Sequence, residues 1–131
     1  MEYLHSDLTK KLIKLYFEVY NDLPFGLETE IYRKALLQKL ILESIKVEEQ
    51  KRFPINYLGK EIGEVSFDFL VEEKVAIEVL NKDSFIDEKD IENVRAKSLM
   101  SPVEVILIFN FTQELNHKRY FYSNKEKRPL I

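Results

Sequence analysis

The sequence predicts an α/β protein with elements in the order α-α-β-β-β-α-β-β, helices lying against a mixed sheet. Three observations predict it. Apolar residues recur at helical spacing over the first third of the chain, and alternation with period two replaces that spacing from about residue 46. A charge-rich helical stretch then precedes a run of consecutive apolar β-formers. Such an order indicates a layered arrangement of helices on a sheet.

Residues 6–21 read as the first helix, with Ser6 or Asp7 as cap and Leu8, Leu12, Ile13, Tyr16, Val19 and Tyr20 on its apolar face. Pro24 and Gly26 break the pattern. A second helix spans about 27–44, with Leu27, Ile31, Ala35, Leu36, Leu40 and Ile41 on one broad stripe. Residues 46–57 alternate loosely and contain Pro54, which favours an edge strand. Leu58-Gly59-Lys60 reads as a turn, and strands over 63–71 and 75–80 complete an antiparallel meander. Residues 86–99 return to helix and stop at Ser101-Pro102. The apolar run 103–111 reads as a strand covered on both faces, and a short strand over about 118–123 precedes a basic tail, 124–131.

The chain has 131 residues with 20 Lys+Arg against 23 Asp+Glu, a net charge of −3, and 45% hydrophobic residues. That length suits one domain with one core. The absence of Cys excludes a disulfide scaffold, a thiolate zinc site and a cysteine nucleophile. Charge begins at Glu2 without an apolar signal region, and the most apolar stretch, 105–111, is far too short to span a bilayer. A cytoplasmic location without membrane association is expected. The charge balance argues against coating nucleic acid by bulk electrostatics, so any DNA or RNA contact requires a local patch or bound metal.

The anomaly lies in the central strands. Alternation over 65–71 places Val65, Phe67, Phe69 and Val71 on one face and Ser66, Asp68 and Leu70 on the other. In the next strand Ala76, Glu78 and Leu80 oppose Val75, Ile77 and Val79. Each strand thus carries one carboxylate among apolar or small residues. Such a group must be paired, hydrogen-bonded or bound to metal. On neighbouring hairpin strands Asp68 and Glu78 can lie side by side, where a divalent cation relieves their repulsion. The plainer alternative places both at a solvated strand end, each beside a Lys or Arg.

At these residues the sequence resembles the GxxExxY proteins, a branch of the PD-(D/E)XK nuclease superfamily. The resemblance covers roughly residues 8–121. Gly26-Leu-Glu-Thr-Glu-Ile-Tyr32 with Ala35-Leu36 resembles the motif that names the family. Val47-Glu-Glu-Gln50, Pro54 and Tyr57 resemble its first strand, and Asp68-Phe-Leu-Val71 and Ile77-Glu78-Val79 its two acid-bearing strands. Ile108-Phe-Asn110-Phe111, with Leu115 and Lys118-Arg119, is similar to its C-terminal strand and following turn. The resemblance implies a mixed sheet flanked by helices and a site holding Mg²⁺ or Mn²⁺ between an Asp, a Glu and a helix carboxylate. In active relatives that ion and a nearby Lys activate water to cut a phosphodiester of DNA or RNA.

Three positions depart from the pattern. The helix Glu falls at Thr29, flanked by Glu28 and Glu30, either of which is a candidate third metal ligand. The motif Lys, two residues after Glu78, is Leu80, which can neither donate a proton nor polarise water. The helix Gln appears as Asn93, a candidate for orienting phosphate or water. Two lysines are candidate replacements: Lys82, two residues beyond Leu80, and Lys97, one helical turn after Asn93.

His5 and His117 are the only histidines and carry no GxSxG or HExxH spacing, so a serine triad or zincin is unsupported. Basic and aromatic residues interleave over 118–128, a pattern that could contact a nucleic-acid backbone and stack on bases, although a final strand with a solvated tail is the favoured reading. Lys10, Lys11 and Lys14 form a second basic face, while residues 83–92 are strongly acidic. The sequence therefore predicts a metal-dependent nuclease-like protein with an altered motif. The alternatives are a catalytically inactive module of that fold, binding nucleic acid or protein, and a homodimer built on the apolar sheet edge, which is compatible with either.

Overall fold

Helix α1 (Ser6–Asp22) buries Leu12, Leu15, Tyr16 and Val19 along one stripe, as the 3.6-residue period requires. The computed structural model describes residues 5–82, 86–111 and 119–123. After α1 the chain turns through Gly26, whose φ of 95° lies in the left-handed region that favours glycine. Tyr32 of α2 (Thr29–Leu42) pins this turn, donating its hydroxyl to the Pro24 carbonyl at 2.7 Å and accepting from the Leu27 amide at 3.2 Å.

The strands β1 (Val47–Tyr57), β2 (Lys60–Val71), β3 (Val75–Leu80), β4 (Val105–Asn110) and β5 (Arg119–Ser123) form one mixed sheet, in spatial order β1-β2-β3-β4-β5. Only β3 and β4 run parallel, and α3 (Glu88–Leu99) makes the crossover between them. The element order, the meander and the mixed sheet are those the sequence predicts. Every residue of β4 is buried, as expected of a strand covered on both faces.

Helices α1 and α2 cover one face of the sheet, where Tyr16 stacks on Phe109 and Tyr32 on Phe111, each with ring centroids 4.4 Å apart. Helix α3 covers the other through Val94, against Phe67, Leu70, Ala76, Ile106 and Ile108. The α3 start is fixed by a capping box in which Asp87 and Asp90 each accept the other's backbone N–H. The buried Tyr16 hydroxyl donates to the Asn110 carbonyl at 2.5 Å, tying α1 to the end of β4. Tyr16→Phe keeps the ring packing but removes this donor. It is expected to cost about 1–2 kcal/mol in urea unfolding.

Four local readings change. His5, not Ser6 or Asp7, is the N-cap residue of α1, and no side chain caps it. On α2 Tyr32, Leu36 and Leu40 are buried, whereas Ile31 and Ile41 of the expected apolar stripe are exposed. Strand β2 begins at Lys60, not Gly63, because Gly63 pairs with Ile55 at a register shift inside a long hairpin and does not mark its start. Phe67 and Phe69 also do not share a face. Phe67 packs with Phe53 and Val94 on the α3 side, whereas Phe69 and Val71 lie under α1 and α2. The register is the same on either side of the switch, with Glu49 opposite Phe69 and Lys51 opposite Phe67, but Gln50 takes a left-handed φ of 49°. That conformation breaks the period-two alternation opposite Asp68.

No helix among the described residues is long and apolar enough to cross a membrane. The tail 124–131, the Lys118 side of the basic–aromatic segment and part of the acidic stretch, 83–85, lie outside the described residues.

Candidate active site

Asp68 lies where β2 switches faces between Phe67 and Phe69, within reach of the Gln50 side chain of β1. The described β2–β3 ladder runs from Val71↔Val75 to Phe69↔Ile77 and has no further pair. Just beyond it, Asp68 Oδ2 accepts the Val79 backbone N–H at 2.7 Å, so a carboxylate replaces the ladder where the strands part. Asp68 Oδ1 accepts from Arg33 Nε of α2 at 3.0 Å and from Gln50 Nε2 at 3.4 Å. Asp68 is 8% exposed, and these donors offset the desolvation of its charge.

Glu78 follows Ala76 on the α3 side of β3. Lys97 Nζ of α3 donates to Glu78 Oε1 and lies 5.6 Å from the centre of the Phe67 ring. Burial pushes the Glu78 carboxyl from its ordinary 4.5 up to about 7. The Lys97 ammonium opposes that rise, while the adjoining Asp68 carboxyl adds to it through charge and hydrogen bonding. The two strand acids are therefore neighbours, held by a guanidinium from the α2 side and an ammonium from the α3 side.

Asn93 and Lys97, four residues apart on α3, both line a cleft of about 250 Å³ with Glu78, Leu80, Lys89, Asp90, Val94 and Ile108. Asn93 and Lys97 thus join Glu78, and Leu80 forms part of the same wall. Lys82 does not line this cleft. Its ammonium binds Asp90 at 2.7 Å and Asp87 at 3.1 Å, fastening the end of β3 to the α3 capping box. Those carboxylates, Asp90 foremost, hold the Lys82 pKa up, and the Asp90 N–H and Lys82 hold that of Asp87 down.

The flanking helix acids stand apart from Asp68 and Glu78. Glu28 is the exposed N-cap residue of α2 and makes no side-chain capping bond. Glu30 Oε2 accepts from Arg33 Nη1 at 3.2 Å, so it reaches Asp68 only through the guanidinium. Among the described residues no cluster of three Asp, Glu or His side chains converges as a metal site. Arg33 and Gln50 were the residues that sequence reasoning missed. The signal for Arg33 was its place one turn after Glu30 on a helix facing a strand acid; Gln50 stood in the first-strand motif, but its left-handed backbone has no sequence signature.

A family model of the PD-(D/E)XK nuclease superfamily matches residues 6–120. The chain belongs to the PD-(D/E)XK nuclease superfamily. No curated protein matches it significantly. The match spans all three helices, β1 to β4 and the start of β5, including both strand acids. Nucleases of the PD-(D/E)XK superfamily use divalent metal ions. The donor chemistry here fits such an ion in one respect: Asp68 and Glu78 present adjacent carboxylate oxygens, and Mg²⁺ takes one or two carboxylates with water completing its shell.

Proposed function

We propose that this PD-(D/E)XK protein is a metal-dependent nuclease of the GxxExxY type, hydrolysing phosphodiester bonds of DNA or RNA in the cytoplasm. The observation that carries this reading is the contact of Lys97 with Glu78 beside Asp68. It restores an Asp, a Glu and a Lys at one site although the strand position of the Lys is Leu80. Asp68 and Glu78 would hold Mg²⁺ or Mn²⁺, which when bound supplies Lewis-acid charge neutralisation at the phosphate. The Val79 N–H fixes the direction of the Asp68 carboxylate. Lys97 brings a positive charge to stabilise the developing charge on phosphate or to favour deprotonation of the attacking water. Asn93, on the same cleft wall, offers an amide to orient that phosphate or water.

Purified protein with Mg²⁺ or Mn²⁺ is expected to nick plasmid DNA or cut RNA. Lys97→Met is expected to slow cleavage by about 10²- to 10³-fold, the scale of losing one preorganised charge-stabilising donor. Failure to cleave either polymer with either metal removes the enzymatic reading.

One observation favours a second reading, a non-catalytic module binding nucleic acid or protein. Arg33 and Lys97 already balance the charges of Asp68 and Glu78, and Leu80 occupies the motif position. Nucleic-acid binding that persists without cleavage, together with no heat of Mn²⁺ binding, would select it. A homodimer is compatible with both readings, and light scattering measures it.

A further inference from the structure

We infer that Arg33 is the resident counter-cation of Asp68, which a divalent ion must displace, and that Glu30 serves to hold Arg33 and is not itself a metal ligand. This rests on the metal-dependent reading of Asp68 and Glu78. The guanidinium is forked between two carboxylates on different elements, with Nε on Asp68 Oδ1 at 3.0 Å and Nη1 on Glu30 Oε2 at 3.2 Å. The Asp68 side chain is 10% exposed and that of Arg33 27%, whereas Glu30 is 56% exposed. The Arg33–Asp68 contact is thus the inner, poorly solvated half of the fork and Glu30 its solvated outer anchor.

The placement follows from the helix. Arg33 lies one turn after Glu30 on α2, so the two share a face and the planar guanidinium can span from Glu30 to the sheet. The Asp68 oxygen it occupies is also the one that Gln50 approaches, while the second oxygen is taken by Val79 N–H. A divalent ion at Asp68 therefore meets both competition for Oδ1 and repulsion from a fixed positive charge within a few ångströms. The consequence is a site whose metal affinity is set by how firmly Glu30 and Asp68 retain the arginine.

Calorimetric titration of the metal-free protein with Mn²⁺ tests this without reference to turnover. Arg33→Gln is expected to bind Mn²⁺ about tenfold more tightly than wild type, because competition and repulsion are both removed. Arg33→Lys, which keeps the charge but loses the fork, is expected to fall between them. Glu30→Gln is expected to bind Mn²⁺ at least as tightly as wild type. Cooperative urea unfolding of each variant verifies that it folds, and Arg33→Lys carries the comparison if Arg33→Gln does not. Unchanged or weaker binding by both arginine variants overturns the proposal, as does a tenfold loss in Glu30→Gln, which would make Glu30 a ligand. Cleavage is scored separately. Tighter Mn²⁺ binding by Arg33→Gln without any cleavage upholds the arginine's role and removes the nuclease reading. Cleavage by wild type with equal affinities does the reverse, and no Mn²⁺ binding by any form removes both.

Discussion

Asp68→Ala is expected to abolish metal-dependent cleavage, lowering it by at least about 10³-fold, and to destabilise the fold by about 2–4 kcal/mol. Both effects arise from one carboxylate with several partners. On the proposed reading it is one of two protein ligands to the ion, and Glu78 alone offers a much weaker hold. Structurally, its removal strips the acceptor from the Val79 N–H, where the β2–β3 ladder has ended, and from Arg33 Nε. A buried donor left without an acceptor costs about 1–3 kcal/mol, and breaking a largely buried ion pair adds to that. Asp68→Asn separates the two effects. Its amide oxygen still accepts a hydrogen bond and its volume is unchanged, so urea unfolding should record a smaller loss. It has no anionic charge, so cleavage should still disappear. Wild-type cleavage by Asp68→Asn would rule out Asp68 as a metal ligand.

Glu78 gives the second large effect, which appears as a dependence of stability on pH. Its carboxyl titrates near 7 in the folded protein against an ordinary 4.5, chiefly because of burial. The folded state therefore holds this proton more tightly than the unfolded chain does. The associated stability is fully present below about 4.5 and is lost as pH rises through about 7. A shift of this size corresponds to about 3–4 kcal/mol. Glu78→Gln cannot titrate but still offers an oxygen to Lys97. The difference in unfolding free energy between wild type and Glu78→Gln should therefore move against wild type from pH 5 to pH 8. A flat difference across that range would show that Lys97 keeps the carboxyl ionised throughout. Metal binding takes the opposite direction, because the ion requires the deprotonated form, and Mn²⁺ affinity should rise through the same window. Added Mn²⁺ should thus stabilise the protein more at pH 8 than at pH 5.

Much of the fold was legible in sequence because its signals are local. The spacing of Leu12, Tyr16 and Val19 defines a helix face without reference to the rest of the chain. The run 105–110 has too few polar residues for anything but a strand covered on both sides, and β4 is buried throughout. The two strand acids stood out for the same reason, as ionisable residues among apolar neighbours whose desolvation needs a remedy. The face of Phe67 was not legible, because the alternation shifts between Phe67 and Phe69, next to a left-handed Gln50 on β1 that no side-chain signal announces.

The sequence by itself determined the order of elements, the mixed sheet and the pair Asp68 and Glu78, since hydrophobic period and the cost of a buried charge are properties of short segments. Tertiary structure alone decided which cations meet that pair. Lys82 and Lys97 were equal candidates until the crossover placed α3 over β3. Lys97 then fell on Glu78, while Lys82 was drawn to the carboxylates of the α3 cap. Arg33 reached Asp68 from a helix 35 residues away along the chain. An ion pair at such separation depends on the packing of whole helices against a sheet, a quantity that no local pattern encodes.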